Sequence, residues 1–453
     1  MQPDDTFLED SLREAARSDA AGCVIAVPAP DASVDALLSL ALDGPVTLWH
    51  PAEGVALAGR GAAIVCAGPS LAALRDDASR ALGSLRVFVH PARASYTPRL
   101  FGGQRFDPAR ADADDPAWGA FPAASMALPR WSLSREVDGP TLALALSREE
   151  CLSASEWLPK VRAVLAALAA PAGEVPPRVR AALDRDEGRE AWSALVHNAL
   201  AVMREGRAQK LVAARRAEVR ADAPWHLARV LHDLADAAAP GCVRFAMQHG
   251  DAVLVGATPE RLVARRGDAV TLDALAGSTP RGRDASDDAA RARALAVSAK
   301  DLREHALVVD GARASLEGFA SSIEAPAEPS VRTLRNVHHL WTPMRATLRD
   351  GAHALTLVGA LHPTPALGGA PRAEALAWIA AREPHPRGWY AGPIGWCDAR
   401  GDGEFFVAIR SAVVRGDRAW AYAGAGLVEG SDVDAEWRET DAKMSVMRAA
   451  LGV

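Results

Sequence analysis

The chain has 453 residues, 49% hydrophobic and 24% charged, with a net charge of −6. Such a length and apolar content describe a soluble globular chain with a large core, in one large or two ordinary domains. The absence of a basic excess argues against nucleic-acid binding. The five cysteines, Cys23, Cys66, Cys151, Cys242 and Cys397, are scattered and form no Cys-x-x-Cys, so neither a disulfide framework nor a zinc site is expected. The acidic start, Met1-Gln-Pro-Asp-Asp-Thr-Phe, lacks an apolar signal core. No apolar run approaches the roughly 20 residues of a membrane span, and a cytoplasmic location is expected.

No internal repeat is visible. Residues 1 to about 170 read as mixed strands and helices. Cys23–Val27, Ala62–Cys66 and Arg86–His90 are short apolar runs of strand type. Phe101-Gly-Gly103 and the Asp/Pro-rich stretch from Asp107 to Pro116 read as loops. Ala170 to Pro177 is the best linker. Beyond it, Trp192, Leu195, Val196, Ala199, Leu200 and Met203 mark one face of a helix over Glu190 to Glu205. Gly206 ends that helix, and Lys210 opens a strand.

Val253–Gly256 reads as a strand leading to Thr258-Pro-Glu260, and Asp273 to Gly282 as a strand then a turn. Ser298 to Glu317 reads as a helix with Gly318 as its stop. Glu404–Arg410 and Ala419–Gly424 are expected to be neighbouring strands joined by the short turn Arg415-Gly-Asp-Arg418. A last helix carries Glu436 to Leu451. Long strands separated by short turns suggest large antiparallel sheets with helices packed outside rather than a βαβ array.

Of the 51 basic residues only Lys160, Lys210, Lys300 and Lys443 are lysine. In a chain that uses arginine almost wherever a positive charge would do, a retained lysine points to what arginine cannot supply, namely release of its proton. Lys210 heads the apolar run Lys210-Leu-Val-Ala-Ala-Arg215, placed like a buried base. Lys300 and Lys443 lie beside acid pairs. Those pairs, Asp301 with Glu304 and Glu436 with Glu439, have i, i+3 spacing, so each shares one helix face. Four carboxylates from two helices can hold a hard divalent cation such as Mg²⁺. Ala276-Gly277-Ser278 and Gly424-Ala-Gly426 each follow a predicted strand. Small residues there let backbone N–H groups approach a carboxylate. Arg410 offers a fork that matches a carboxylate, and His339 could donate a further hydrogen bond. Each feature alone also fits an ordinary solvated helix face, turn or core histidine.

Taken together and in this order, the pieces resemble the chorismate-utilising enzymes. The motifs that carry the resemblance run from about residue 190 to the C-terminus. They are Lys210-Leu-Val-Ala-Ala-Arg215, Ala257-Thr-Pro-Glu260, Leu275-Ala-Gly-Ser278, Asp301-Leu-Arg-Glu-His305, Phe406-Val-Ala-Ile-Arg410, Gly424-Ala-Gly-Leu-Val-Glu-Gly430 and Glu436-Trp-Arg-Glu-Thr-Asp-Ala-Lys443. The resemblance implies an α+β fold of two large packed antiparallel sheets with helices outside. Residues 1–175 would be its N-terminal α/β part and residues 188–453 its chorismate-binding catalytic region. Mg²⁺ and the dianion chorismate are implied as cofactor and substrate.

Within the family, Lys210 stands where nitrogen-installing relatives such as anthranilate synthase usually carry Gln. Water needs a base to become a nucleophile and ammonia does not, so Lys210 suggests water attack. No glutamine amidotransferase partner is then expected, and a monomer is. The segment Leu361-His-Pro-Thr-Pro-Ala-Leu-Gly-Gly369 is similar to that of the isochorismate synthases, as are Phe101 to Asp107 and Phe121 to Pro129 more loosely. Ser278 replaces a common Thr and keeps its hydroxyl.

The resemblance implies Lys210 as general base and Glu260 as general acid, the latter with its pKa raised by burial. Glu304 and Glu439 would be inner metal ligands, with Asp301 and Glu436 acting partly through water. Gly277, Ser278, Tyr390, Arg410, Gly424, Gly426 and Lys443 would bind substrate carboxylates, and His339 would orient the ring. Two alternatives stay open: a salicylate synthase, which goes on to eliminate pyruvate in the same site, and a catalytically silent chorismate-binding regulatory subunit.

Overall fold

In the computed structural model the described residues are 5–453 apart from 111, 137, 172 and 187. The first four residues of the acidic start, and single positions in the Asp/Pro-rich loop and the linker, thus lie outside the described residues. The described residues carry 21 strands joined in one hydrogen-bonded network. The long strand Ala124–Glu136 forks it into two arms. One arm leaves through Ala56–Gly68. It continues through Val46–His50, Val243–His249, Ala252–Thr258, Ser411–Arg415 and Arg418–Leu427 to Lys210–Ala221. The other leaves through Arg99–Gln104 and continues through Pro393–Asp398, Gly403–Val407, Arg261–Arg266 and Ala269–Pro280 to Val337–Leu348. Every pairing is antiparallel except that of Gly22–Pro28 with Leu85–Val89. The expected architecture of large antiparallel sheets with outer helices is what the chain adopts, with the two sheets fused through a shared strand.

Alternation along the strands divides the core into two layers. Phe245 and Met247 belong to the layer between the arms, where Trp49 meets Phe406 edge-on at 5.7 Å. Ala246, Ala257, Ala412 and Ala421 point the other way, under the helices Leu227–Ala237 and Val433–Leu451. Small side chains on that face let the helices lie close to the sheet. A fully buried Phe such as Phe245 contributes about 1.5–3 kcal/mol through removal of apolar surface from water. The helix Ala299–Leu316 starts at Ser298, whose hydroxyl accepts from Asp301 N, and Val433–Leu451 starts at Asp432, which accepts from Ala435 N.

Three local expectations need correction. Phe101-Gly-Gly103 is buried strand, not loop. A Cβ on Gly102 would lie 1.8 Å from Ser125 O, and one on Gly103 would lie 2.6 Å from Pro393 O. These glycines serve close approach of neighbouring backbones, a need that looks like a turn in sequence. Second, the glycine motifs lie within strands rather than after them. Gly277 (φ +77) is a bulge in the pairing of Ala269–Pro280 with Val337–Leu348. Third, Glu404–Arg410 is not a neighbour of Ala419–Gly424. The chain changes arms after Val407, and Ser411–Arg415 is the strand that pairs with Arg418–Leu427.

Candidate active site

A cavity opens between the two arms. Val212, Gly424 and Gly426 line it from one arm, Leu275, Gly277, Ser278 and His339 from the other, and Glu304, Glu439 and Lys443 from the two acidic helices. The chain crosses between the arms at Arg410. Arg410 (φ 52) and Ala391 (φ 59) are the non-glycine residues with left-handed backbone among the described residues, and both line the cavity. Each such conformation costs about 1–3 kcal/mol. Ala257 N donates to Arg410 O at 3.1 Å and Ala391 N to Ala408 O at 3.0 Å, which holds them there.

The four predicted acids are brought together with three of the four lysines. Lys210, fully buried at the head of its strand, has Nζ 2.9 Å from Glu304 Oε1. Lys300 pairs with Glu436 at 2.9 Å. Lys443 pairs with Glu439 and donates to Gly424 O at 2.9 Å. Asp301 is held by the Ser298 hydroxyl. Lys160 lies apart, over the Trp157 ring at 4.4 Å. Burial would raise Glu304, but Lys210, with Lys443 and Lys300 behind it, holds it below the usual carboxylate range. Burial raises Asp301, with the charges of Glu304 and Glu439 adding to it. Burial and the charge of Glu439 push Glu436 up to about 7.

Among the described residues no three carboxylates or imidazoles converge closely enough to hold an ion. The set is lysine-paired instead. Its donors are all hard oxygens that repel one another, and a divalent cation would relieve that repulsion, so the donor chemistry fits Mg²⁺. Glu304 and Glu439 line the cavity; Asp301 and Glu436 are not among its lining residues.

Glu260 follows the strand Ala252–Thr258 and is buried. Its carbonyl accepts from Val407 N at 3.1 Å, while Thr258 Oγ1 donates to Val407 O at 2.7 Å, so its backbone is fixed between the arms. Burial raises its carboxyl to about 8, against the opposing charges of Lys210, Lys443 and Arg410. At neutral pH it is a protonated acid facing a cavity.

His339 has Ser278 Oγ 2.7 Å from Nδ1 and Arg410 Nη2 3.1 Å from Nε2. Arginine can only donate, so Nε2 accepts and Nδ1 carries the hydrogen. Burial and the Arg410 charge hold the ring neutral, well below its ordinary pKa. Among the described residues this is the one hydrogen bond Arg410 makes through its side chain, which leaves donors free at the cavity.

Tyr390 stacks on Tyr422, with centroids 5.1 Å apart and planes at 20°. Burial raises the Tyr390 phenol to about 12. A Cβ on Gly426 would lie 2.4 Å from Glu304 Oε1 and 3.1 Å from Lys210 Cε, and one on Gly424 would lie 3.2 Å from the Tyr390 hydroxyl. Both glycines therefore make room for side chains of the site. The bulge at Gly277 faces Asp301, whose Cβ is 3.0 Å from where a Gly277 Cβ would be. His305 ties the acidic helix to that bulge through Ala276 O at 3.1 Å.

Sequence reasoning missed Arg387, Leu367 and Tyr422, which also line the cavity. One arginine among 47 carries no signal. Tyrosine is scarcer still, with three in the chain, and the scarcity argument applied to lysine, extended to tyrosine, points to Tyr422. Among the described residues, no helix is long and apolar enough to cross a membrane.

Residues 14–452 match the model of the family described as chorismate binding enzyme. The salicylate biosynthesis isochorismate synthase of Pseudomonas aeruginosa is 42% identical over 364 residues, covering 78% of this chain and 74% of that protein. The isochorismate synthase MenF of Bacillus subtilis is 35% identical over 355 residues, covering 78% and 75%. The solved structure of MenF, the menaquinone-specific isochorismate synthase from Escherichia coli, superposes with a TM-score of 0.79 at 28% identity, covering 98% of this chain and 99% of that one. With a family match over almost its whole length and relatives aligned across most of theirs, this chain belongs to the chorismate-binding enzymes.

Proposed function

We propose that the chain is a Mg²⁺-dependent isochorismate synthase, an isomerase that adds water at ring C2 of chorismate and expels the C4 hydroxyl. The observation that carries this reading is a cavity lined by Glu260, its carboxyl raised to about 8, and by Glu304, with the buried Lys210 behind Glu304 at 2.9 Å. Lys210 acts once its ion pair with Glu304 is broken and its proton is released to solvent; the neutral Nζ then takes a proton from the attacking water as the water oxygen bonds to C2. The ring double bonds shift, and Glu260 gives its proton to the departing C4 oxygen, which leaves as water. Each proton transfer of this kind contributes about 10²–10⁴-fold. Glu304 and Glu439, backed by Asp301 and Glu436, would hold Mg²⁺, whose charge would neutralise a substrate carboxylate.

Arg410 would bind a carboxylate through its free donors, with Tyr390, Gly424, Gly426 and Lys443 beside it. Gly277 and Ser278 would bind through the bulge, and neutral His339 would orient the ring. Water as nucleophile requires no ammonia-supplying subunit, and the reading includes a cytoplasmic monomer, which sedimentation would test. Relatives named for salicylate and for menaquinone both align, so the product could feed either use.

Purified protein incubated with chorismate and Mg²⁺ should stop at a mixture of chorismate and isochorismate and should convert added isochorismate back. Stoichiometric salicylate and pyruvate would instead make it a salicylate synthase. No turnover would make it a binding subunit.

A further inference from the structure

Arg387 and Glu383 form a buried pair that the proposed chemistry does not use. Arg387 Nε donates to Glu383 Oε2 at 2.9 Å, and Nη2 to Glu383 Oε1 at 2.5 Å. The pair sits at a gap in the sheet. One edge of Lys210–Ala221 pairs continuously with Arg418–Leu427. The other pairs with Gly369–Ala370 at Lys210 and Leu211, then with Ala181–Asp186 only from Ala217 onward. Between them the pair takes the place of a strand. Arg387 Nη2 donates to Val212 O at 2.8 Å, and Ala214 N donates to Glu383 Oε1 at 2.9 Å. Arg387 Nη1 also donates to Leu367 O at 2.7 Å, and its own carbonyl accepts from Tyr390 N at 2.9 Å. Its guanidinium lies over the Phe106 ring at 4.3 Å.

Val212, Leu367 and Tyr390 all line the cavity, and Val212 is two residues from Lys210. We propose that the Arg387–Glu383 pair is a positioning device that sets this wall, and with it the placement of Lys210 against the bound ring. A backbone strand filling the gap could not also reach Leu367 O, whereas the flat fork of arginine serves both carbonyls and the carboxylate. Four of its five N–H donors are thereby taken, so Arg387 is built to hold protein rather than substrate. Buried ion pairs are poor sources of net stability, which favours a geometric role over a stabilising one.

The inference rests on the isochorismate synthase reading, so wild-type protein is assayed beside the variants. Wild type that forms no isochorismate overturns that reading and the inference with it. Given active wild type, R387K keeps the charge but cannot reach both carbonyls and the carboxylate. It should lose kcat by about 10²-fold, the cost of an ångström-scale misplacement, with KM for chorismate within about threefold of wild type. E383Q keeps an acceptor for Ala214 N and should show a smaller loss in kcat with the same KM. Both should unfold within a few degrees of wild type, so the split between kcat and KM reports position rather than the folded fraction. Folded R387K with wild-type kcat overturns the proposal. So does a large rise in KM at unchanged kcat, which would make Arg387 a substrate ligand. Failure of both variants to fold would make the pair a stability element and equally overturn it.

Discussion

Two buried arginines face the same cavity and do opposite things. Arg387 spends four donors on Glu383, Val212 O and Leu367 O. Arg410 makes one side-chain hydrogen bond among the described residues, to His339. The first belongs to a wall whose polar groups are satisfied within the protein. The second belongs to a wall that also carries protonated Glu260, with Lys210 behind it close to Glu304 but without an aligned hydrogen bond. Buried polar groups are almost always paired. Unspent donors and perturbed acids gathered at a cavity therefore mark where a ligand completes the pairing. Shape comes from the satisfied wall and chemistry from the unsatisfied one.

That contrast is most exposed to removal of the cation. Activity should vanish in EDTA and return with Mg²⁺. Glu304→Ala and Glu439→Ala should each raise the Mg²⁺ requirement strongly, and Asp301→Ala less. Full activity in chelator would leave the acid set as a lysine-paired structural cluster.

Next in size is Lys210. Lys210→Ala and Lys210→Arg should both lose about 10²–10⁴-fold in kcat while still binding chorismate by calorimetry, because guanidinium will not release its proton. Arginine with near wild-type turnover would remove Lys210 from the base role.

Glu260 gives a pH signature. With its carboxyl at about 8, the forward rate should fall as pH rises above that value, and Glu260→Gln should lose most activity together with this limb. The folded pKa lies above the unfolded one, so the native state binds the proton more tightly. The associated stability is present in full below about pH 4.5 and is lost as pH rises through about 8. At pH 9 Glu260→Gln should therefore be the more stable protein, by on the order of 2–4 kcal/mol at most. Denaturant melts at pH 5 and pH 9 would check the sign.

The smallest effect is at the free fork. Arg410→Gln should raise KM for chorismate by about 10–100-fold, the worth of a charge-assisted hydrogen bond of about 1.5–3 kcal/mol, with kcat less affected. An unchanged KM would mean that the open donors do not meet the substrate, and the contrast with Arg387 would lose its meaning.

Most of the unsatisfied wall was legible in the sequence because it is made of residues that break the local rule. Lysine is scarce and arginine abundant, acids recur at i, i+3, and small residues cluster around two glycine motifs. Glu304, Lys210 and Lys443 could be named in this way before any contact was known, whereas Glu260 was reached through the family resemblance alone. The satisfied wall was illegible. Arg387 is one arginine of many, and its role depends on Val212, 175 residues away in sequence. Phe101-Gly-Gly103 misled for a related reason, since its glycines answer to Ser125 and Pro393 and not to a local turn.

By itself, then, the sequence determined the class of fold through strand and helix periodicity, and the chemical inventory of the site through residue types that nothing local requires. Tertiary structure alone decided three things. Lys210, Lys300 and Lys443 are each given a particular acid partner, Glu260 is desolvated enough to keep its proton, and a gap in the sheet beside Lys210 is closed by a side-chain pair rather than a strand. The physical reason is range. Periodicity and residue chemistry are properties of short stretches of chain, whereas desolvation and hydrogen-bond satisfaction depend on what distant segments bring to the same few ångströms.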